Sequence, residues 1–296
     1  MQMDPARNHG LALAVTGVFI LSFDALLIRL ANAGGLEVSF WRGFFVLIAT
    51  GTICWFRRHS MTWPDTRRLW LMALAISVLY GANSVLFVLS VTHTHVANTV
   101  VILASAPLFA AAISWLFFRE STPRRTLISI ICAIIGVLVV FSASIGQPGQ
   151  LGDFLALILA VGMATMLTLL RRAPTLPRLP LLAAAGLVTL LISAPFAAPF
   201  ELSSASLSWL ALMGLVQIPI ASLLIFSASR HLPSPEVSLV LLIETVMGPV
   251  WVWWVLSEEL PSRTLLGGAL ILGAIAVNSF LSLRSYRAGK ARSKAC

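Results

Sequence analysis

The chain has 296 residues, of which 58% are hydrophobic and only 10% are charged, whereas roughly 25% of the residues of a soluble domain are charged. This composition excludes a soluble multidomain protein and indicates a protein embedded in a membrane. The net charge of +9 is typical of nucleic-acid-binding proteins, but the positions of the basic residues favour another interpretation.

Apolar stretches of about 20 residues recur along the chain, and each is long enough to cross a hydrocarbon core of about 30 Å as an α-helix. The connecting segments are short, so residues 1–296 are expected to form one all-α membrane domain. Residues 285–296 form a basic tail after the last span. The ten predicted spans are 10–32, 37–56, 69–91, 96–118, 127–145, 153–170, 179–200, 207–229, 237–256 and 265–283.

The basic residues concentrate on one side of this predicted domain. If the N-terminus lies inside the cell, the inner termini and loops contain 17 of the 20 lysines and arginines, and the outer loops contain only Arg263. Arg29 and Arg42 fall within spans. An excess of Lys and Arg in short cytoplasmic loops is the positive-inside bias. We therefore interpret the charge as a sign of topology, with both termini cytoplasmic, and expect no nucleic-acid partner.

Short matches at a nearly constant offset indicate an internal repeat. Because each half, 10–145 and 152–284, contains five spans, an odd number, the second copy is expected to enter the membrane in the inverted orientation. Two inverted halves are the usual construction of secondary transporters, in which the substrate site lies near the midplane between them. The matches, at offsets of 138 to 142 residues, pair Gly10 with Gly152, Arg29 with Arg171, Trp70 with Trp209, Glu120 with Glu258 and Pro123 with Pro261.

Three motifs suggest a family. They are FWRGFF at the start of the second span, the acidic signatures at Glu120 and Glu258, and IETVMGPVWVWWVLSEEL in the ninth span. Together with the ten spans, they resemble the EamA branch of the drug/metabolite transporter superfamily over residues 10–284. The ninth-span motif is most similar to bacterial inner-membrane amino-acid and metabolite exporters, including the exporters of aromatic amino acids.

The resemblance implies ten helices around a central cavity lined mainly by the first, third, fourth, sixth, eighth and ninth helices, with the fifth and tenth packed outside. It also implies a location in the bacterial inner membrane, a small-molecule substrate such as an amino acid, no cofactor and no required oligomer. The sequence contains no GxxxxGK[ST] motif, so no visible motif indicates ATP as the energy source.

Glu244 is an acidic residue in the middle of the ninth span, where burial of its charge costs about 2.5 to 3.5 kcal/mol on insertion scales. Helical spacing places Met247, Gly248 and Trp251 on the same face, which suits a cavity wall with a carboxylate and an aromatic ring. We predict a role in the cavity or in coupling, because acids within membranes are usually functional. The alternative is a protonated Glu244 that hydrogen-bonds a neighbouring helix.

Asp24 and Arg42 lie at matching depths, about 4 and 6 Å outward from the centres of the first two spans. They are predicted to form an ion pair, and we interpret this pair as structural, because a buried pair is weak evidence for function. Arg29 lies nearer the outer interface and is expected to extend toward it. The segment 92–95, which contains His93 and His95, is interpreted as a solvated outer turn.

The third span carries Tyr80, Asn83, Ser84 and Phe87 at positions i, i+3, i+4 and i+7, so polar and aromatic groups share one stripe. Such a stripe suits a zwitterionic or aromatic solute in a mostly apolar pocket. Small polar residues also mediate ordinary helix contacts, and this alternative applies to every candidate. The further candidates for the cavity are Asn98, Ser105, Met163, Gln217 and Ser222.

These patterns favour a secondary active or facilitative exporter of small metabolites, and of amino acids including aromatic ones in particular, that works by alternating access. One alternative is an exporter of cationic drugs or nucleoside-like metabolites. A less favoured alternative is a passive channel. An enzyme is not expected, and no catalytic or metal-binding residue is predicted, because the histidines are scattered in loops and tails on both sides of the membrane. They are His9, His59, His93, His95 and His231.

Overall fold

The computed structural model describes residues 5–58, 64–119, 122–142, 144–229, 231–232 and 234–293. Within these ranges the chain forms thirteen α-helices and no strand. Glu120 and the last three residues of the basic tail lie outside the described residues. The helices are α1 (Pro5–Leu21), α2 (Asp24–Ala31), α3 (Gly35–Arg57), α4 (Arg67–His93), α5 (Val96–Ala104), α6 (Ala106–Phe118), α7 (Arg124–Ser142), α8 (Gln150–Arg172), α9 (Arg178–Ser193), α10 (Ser204–Ala211), α11 (Ile218–Ala228), α12 (Ser234–Leu256) and α13 (Ser262–Ser293).

In the part of the chain that the structure describes, nine segments are long and apolar enough to cross a membrane. The predicted seventh span is shorter than expected, because α9 ends at Ser193 rather than near residue 200. Its end precedes Pro195, which has no N–H to continue the helical hydrogen bonds. The nine segments are Asn8–Ala31, Gly35–Arg57, Arg67–His93, Val96–Phe118, Arg124–Ser142, Gln150–Arg172, Ser204–Ala228, Leu239–Leu256 and Ser262–Arg284.

Three of the predicted spans are interrupted helices. The first breaks at Ser22 and Phe23, between α1 and α2, and the fourth breaks at Ser105, between α5 and α6. Pro107 accounts for the second break, because a proline near the start of α6 cannot donate a helical hydrogen bond. The eighth span contains a π-helical turn over Leu212–Gln217. Such turns are rare in proteins, and those that occur often lie at functional sites.

One set of helix ends forms what we call the basic face, which includes the start of α1, the ends of α6, α8 and α13, and the starts of α7 and α9. Here the guanidinium carbon of Arg172 lies 3.4 Å from the ring centroid of Phe118. Arg125 Nη1 donates a hydrogen bond of 3.1 Å to the carbonyl of Leu281. These contacts place the ends of helices from distant parts of the chain side by side.

The other set of ends forms the opposite face, where α2, α4 and α12 end and α3, α8 and α13 begin. Arg263 Nη1 donates to the carbonyl of Ser142 over 3.1 Å, which connects the start of α13 to the end of α7. The backbone N–H of Ala198 donates to Glu37 Oε1 over 3.2 Å, which connects the segment after α9 to the start of α3. The helices therefore alternate in direction between two faces.

Helices α7 and α13 pack against each other on the outside of the bundle. Large apolar side chains on both helices are exposed, among them Ile128 and Leu138 on α7 and Leu265 and Val277 on α13. An exposed apolar surface of this kind suits contact with lipid. This arrangement agrees with the outer position that the sequence resemblance implies for the fifth and tenth helices.

Helices α3 and α9 pack along each other in antiparallel directions, with glycines at their closest approach. A Cβ atom added at Gly43 would lie 2.6 Å from the backbone nitrogen of Leu190 and 2.8 Å from the carbonyl oxygen of Gly186. A Cβ atom added at Gly186 would lie 2.9 Å from the backbone nitrogen of Leu47. Because these neighbours are backbone atoms, the helices would have to separate to accept a side chain.

Replacement of Gly43 with Ala is expected to cost about 1 to 3 kcal/mol of stability through overpacking. The matched control is Gly51→Ala in the same helix, where an added Cβ would meet nothing within 4 Å. That change is expected to be neutral or to stabilise by up to about 1 kcal/mol, because Ala has the higher helix propensity. Unfolding midpoints in detergent measure both effects, and equal midpoints for the two variants would contradict the proposed close contact.

Candidate functional site

A cavity of about 360 Å³ lies between the helices. Its inner end is at Asp24 and Arg42, and it extends to Arg178 and Ser229, which lie at the helix ends of the basic face. No described residue of the opposite face lines it. The cavity is therefore accessible from the basic face and closed at the opposite face.

Most of the cavity lining is apolar. Helices α7 and α13 contribute none of the described lining residues, whereas α3 and α9 contribute several, which the sequence resemblance did not imply. A mostly apolar pocket with a few polar groups is typical of small-molecule sites. The polar and charged lining residues are Asp24, Arg42, Tyr80, Asn83, Ser84, Arg178, Thr189, Ser222, Ser229 and Glu244.

Asp24 and Arg42 form a bidentate ion pair at the inner end of the cavity. Arg42 Nη1 and Nη2 each donate to one carboxylate oxygen of Asp24 over 2.9 Å. The side chain of Asp24 is 8% exposed and that of Arg42 is 11% exposed. Asp24 is the first residue of α2, and Arg42 directly precedes Gly43 on α3. The geometry of two parallel hydrogen bonds fixes the relative positions of α2 and α3.

Glu244 lines the same cavity from α12. Among the described residues no hydrogen bond or ion pair involves its carboxylate, although it interacts electrostatically with Asp24 and Arg42. The alternative of a hydrogen bond from Glu244 to a neighbouring helix therefore has no counterpart in the described contacts. A buried acid without a partner is costly, and a ligand group can supply the missing partner.

All four residues of the polar stripe on α4, Tyr80, Asn83, Ser84 and Phe87, line the cavity. The Arg42 guanidinium carbon lies 5.7 Å from the centroid of the Phe87 ring, which is within the range of a cation–π contact. Met163 on α8 and Ser222 on α11 line the cavity as well.

Asn98 does not line the cavity. Its Nδ2 donates to both carboxylate oxygens of Asp153, over 3.1 and 3.0 Å. Asp153 is completely buried and also accepts hydrogen bonds from the hydroxyls of Thr94, over 2.6 Å, and Ser144. The hydroxyl of Thr264 on α13 donates to Asn98 Oδ1. Asn98 therefore belongs to a buried network near the opposite face, and sequence analysis missed the central residue of that network.

Ser105 and Gln217 do not line the cavity either. Their side chains instead donate hydrogen bonds to backbone carbonyls at interruptions of the helices. The hydroxyl of Ser105 donates to the carbonyl of Ile102 over 2.6 Å, at the break between α5 and α6. Gln217 Nε2 donates to the carbonyls of Ile20 and Leu21, over 3.1 and 3.2 Å. These carbonyls lie at the end of α1, where the break interrupts the regular helical hydrogen bonds.

Trp251, which was also predicted to line the cavity, does not do so. Its ring stacks on Phe23, with centroids 4.7 Å apart and an interplanar angle of 14°. Its Nε1 donates to the hydroxyl of Ser22 over 3.0 Å. Trp251 thus packs on the break between α1 and α2.

The sequence predicted that Arg29 extends toward the outer interface, but in the structure its side chain is held by two partners. Its Nη2 lies 3.1 Å from Glu258 Oε2 and donates to the carbonyl of Thr94 over 2.8 Å. Glu258 Oε1 accepts from the backbone N–H of Val96 over 2.8 Å and lies 3.4 Å from His95 Nδ1. The contacts connect the ends of α2, α4 and α12. We refer to Arg29 and Glu258 as the closure pair.

The segment 92–95 is only partly the solvated turn that its sequence suggested. His93 and His95 are exposed, but Thr94 is 6% exposed. Thr94 is buried because its carbonyl accepts from Arg29 while its hydroxyl donates to Asp153. The alternation of histidine and threonine indicated an exposed turn, and only the partners supplied by α2 and α8 decide otherwise.

Sequence analysis also missed Arg178 as a cavity residue, because it was counted only among the basic residues that indicate topology. The structure places it at the start of α9, in the lining of the cavity at the basic face. No pattern in the sequence separates it from the neighbouring Arg171 and Arg172, which do not line the cavity.

Apolar helices that surround a central cavity accessible from one face are the construction of many multi-pass membrane transporters. The family model described as the EamA-like transporter family matches residues 8–142 and, a second time, residues 150–280. The chain therefore belongs to the EamA-like transporter family, which confirms the transporter class and the family expected from the sequence. Members of this family transport small molecules and are not enzymes.

A solved structure described only as "Crystal structure of protein" is similar to this chain, with a TM-score of 0.64 and 16% sequence identity. The alignment covers 93% of this chain and 98% of the other. At this identity the similarity shows a shared fold alone. A search of curated proteins found no significant match to the sequence.

Replacement of Asp24 with Asn is expected to cost about 3 to 5 kcal/mol of stability, because it leaves the buried guanidinium of Arg42 without a counter-charge. The double variant Asp24→Leu with Arg42→Met should recover most of this loss, because an apolar pair of similar size removes both charges. Unfolding in detergent provides the measurement. A loss below about 1 kcal/mol for Asp24→Asn would show that the pair is not important for the fold.

Proposed function

We propose that this protein is a secondary transporter that exports amino acids, including aromatic ones, across the bacterial inner membrane. The observation that carries the proposal is the unpaired carboxylate of Glu244 in a largely apolar cavity. The ammonium group of an amino acid can bind this carboxylate. The rings of Tyr80 and Phe87 and the side chain of Met163 line the same space and offer contacts to an apolar or aromatic side chain.

We further infer that the halves, residues 10–145 and 152–284, are inverted repeats. Equivalent contacts support this inference: α1 packs against α11 as α8 packs against α4, and α3 packs against its counterpart α9. The matched glycines behave alike, because a Cβ added at Gly10 would lie 2.5 Å from His231 Cβ and one added at Gly152 would lie 2.6 Å from Thr94 Cβ. The cavity between such halves is the expected substrate site.

The charge distribution supports a cytoplasmic location of the basic face and of both termini. In that orientation the cavity is accessible from the cytoplasm, and the closure pair lies on the outer side. Export by alternating access then requires that Arg29 and Glu258 separate while the helix ends at the basic face come together. The structure corresponds to the state that takes up substrate from the cytoplasm.

A second candidate function is the export of organic cations, because an unpaired acid in an apolar cavity also suits a lipophilic cation. Uptake into liposomes containing the purified protein distinguishes the two, with a panel of amino acids, nucleosides and cationic dyes measured with and without a pH gradient. Amino acids should be transported, and substrate on the far side should accelerate exchange. Transport of dyes alone would favour the second function, and the absence of accelerated exchange would indicate a channel.

Replacement of Glu244 with Gln is expected to reduce the transport efficiency for amino acids about 10- to 100-fold, because the charge that binds the ammonium group is lost. The control is Glu259→Gln, because Glu259 is exposed and does not line the cavity. Initial rates in liposomes over a range of pH values measure the effect. Unchanged kinetics and an unchanged pH dependence for Glu244→Gln would remove this residue from the mechanism.

The closure pair generates a separate prediction. Replacement of Glu258 with Gln weakens a partly exposed ion pair, which contributes about 1 kcal/mol, and should therefore increase the population open to the outside roughly fivefold. In a variant with Cys54, Cys132 and Cys296 replaced by Ala, a cysteine introduced at Ser84 in the cavity reports this state. Its labelling by an impermeant maleimide from outside should be several-fold faster in Glu258→Gln, whereas Glu259→Gln should have no effect. Equal labelling rates for both variants would show that the pair does not hold the outer side closed.

A further inference from the structure

Arg178 is a cationic residue of the cavity without a carboxylate partner among the described residues. It begins α9 and lines the cavity at the basic face. Its described interactions are a contact with the ring of Phe226, whose centroid lies 5.9 Å from the guanidinium carbon, and an electrostatic interaction with Tyr80. The five N–H donors of the guanidinium thus remain available to a ligand.

The charges in the cavity form two groups. Four of the described lining residues are ionisable: Asp24, Arg42, Arg178 and Glu244. Asp24 and Arg42 neutralise each other through their bidentate contact. Glu244 and Arg178 remain, one acidic and one basic, and no ion pair joins them or engages either with another described residue.

Tyr80 connects these two remaining charges in space. Its side chain interacts electrostatically with both Glu244 and Arg178, and its ring lines the cavity. An acidic and a basic group thus border the same largely apolar cavity, and Tyr80 lines it as well. A molecule that carries an ammonium group, a carboxylate and an apolar side chain matches this arrangement in charge and in polarity.

We propose that Arg178 is a specificity-determining residue that binds the carboxylate of a zwitterionic substrate while Glu244 binds its ammonium group. The proposal rests on the proposed function and defines its substrate class. An arginine suits this role because its planar donors match a carboxylate in bidentate geometry. A substrate that lacks the carboxylate forgoes the contact with Arg178, and one that lacks the ammonium group leaves Glu244 without a partner.

A purely topological role is the competing interpretation of Arg178. Arg68 provides the comparison, because it lies at the start of α4 on the basic face as Arg178 lies at the start of α9. Both arginines are exposed, but Arg68 does not line the cavity. If Arg178 acted only through its position at the membrane boundary, Arg178→Gln and Arg68→Gln would have similar effects on every substrate.

The test compares phenylalanine with two singly charged analogues, phenylalanine amide, which lacks the carboxylate, and N-acetylphenylalanine, which lacks the ammonium group. Initial rates of uptake are measured in liposomes that contain wild-type protein, Arg178→Gln, Arg178→Lys, Glu244→Gln or Arg68→Gln. Arg178→Gln should lower the transport efficiency for phenylalanine about 10- to 100-fold and leave that for the amide within about twofold. Arg178→Lys should retain an intermediate preference for phenylalanine, and Arg68→Gln should match the wild type.

Transport of the amide by Arg178→Gln also shows that this variant is folded. Equal losses for phenylalanine and the amide in Arg178→Gln, or no loss for either, would overturn the role of Arg178 while the exporter function stands. If Arg178→Gln transports neither compound, Arg178→Lys decides: equal effects on both compounds in that variant overturn the proposal. A wild-type protein that transports no amino acid would instead overturn the proposed function, and the inference with it.

Discussion

Polar and charged groups within an apolar helical domain must find partners inside the protein, because hydrocarbon provides none. In the described chain, Arg42 neutralises Asp24 through two hydrogen bonds, and the side chains of Thr94, Asn98 and Ser144 donate to the buried carboxylate of Asp153. The amide of Gln217 satisfies the carbonyls at the end of α1. Each of these contacts joins different helices, so the same requirement that makes polar groups costly also fixes how the helices are arranged.

Helix α2 shows how this requirement connects the cavity with its closure. The helix has only eight residues, and a charged residue near each end has an ion-pair partner from another part of the chain. Asp24 at its start binds Arg42 at the inner end of the cavity, and Arg29 near its end contacts Glu258 at the opposite face. The break before α2 is covered by Trp251 of α12. A change in occupancy at the inner end of the cavity can therefore act on the closure through one short helix.

Glu244 and Arg178 differ from the other ionisable groups of the cavity because no described ion pair neutralises them. Glu244 lies among largely apolar lining residues, where an acid without a partner is costly, whereas Arg178 is exposed at the basic face. The proposed zwitterionic substrate would provide both missing partners at once. In this interpretation Glu244 and Arg178 both have partners of opposite charge only when substrate is bound. The family match to small-molecule transporters is consistent with that role.

The amino-acid sequence by itself determined that this is a multi-pass helical membrane protein of the EamA family, because hydrophobic length and motif spacing are local properties that need no knowledge of packing. It also predicted which residues of α4 face the cavity, since helical periodicity places Tyr80, Asn83 and Phe87 on one stripe. Only the tertiary structure decided that Asn98 joins a buried network around Asp153 and that Arg178 lines the cavity. The partners of these residues come from helices far away in the sequence, and periodicity within one helix carries no information about which neighbouring helix a side chain meets.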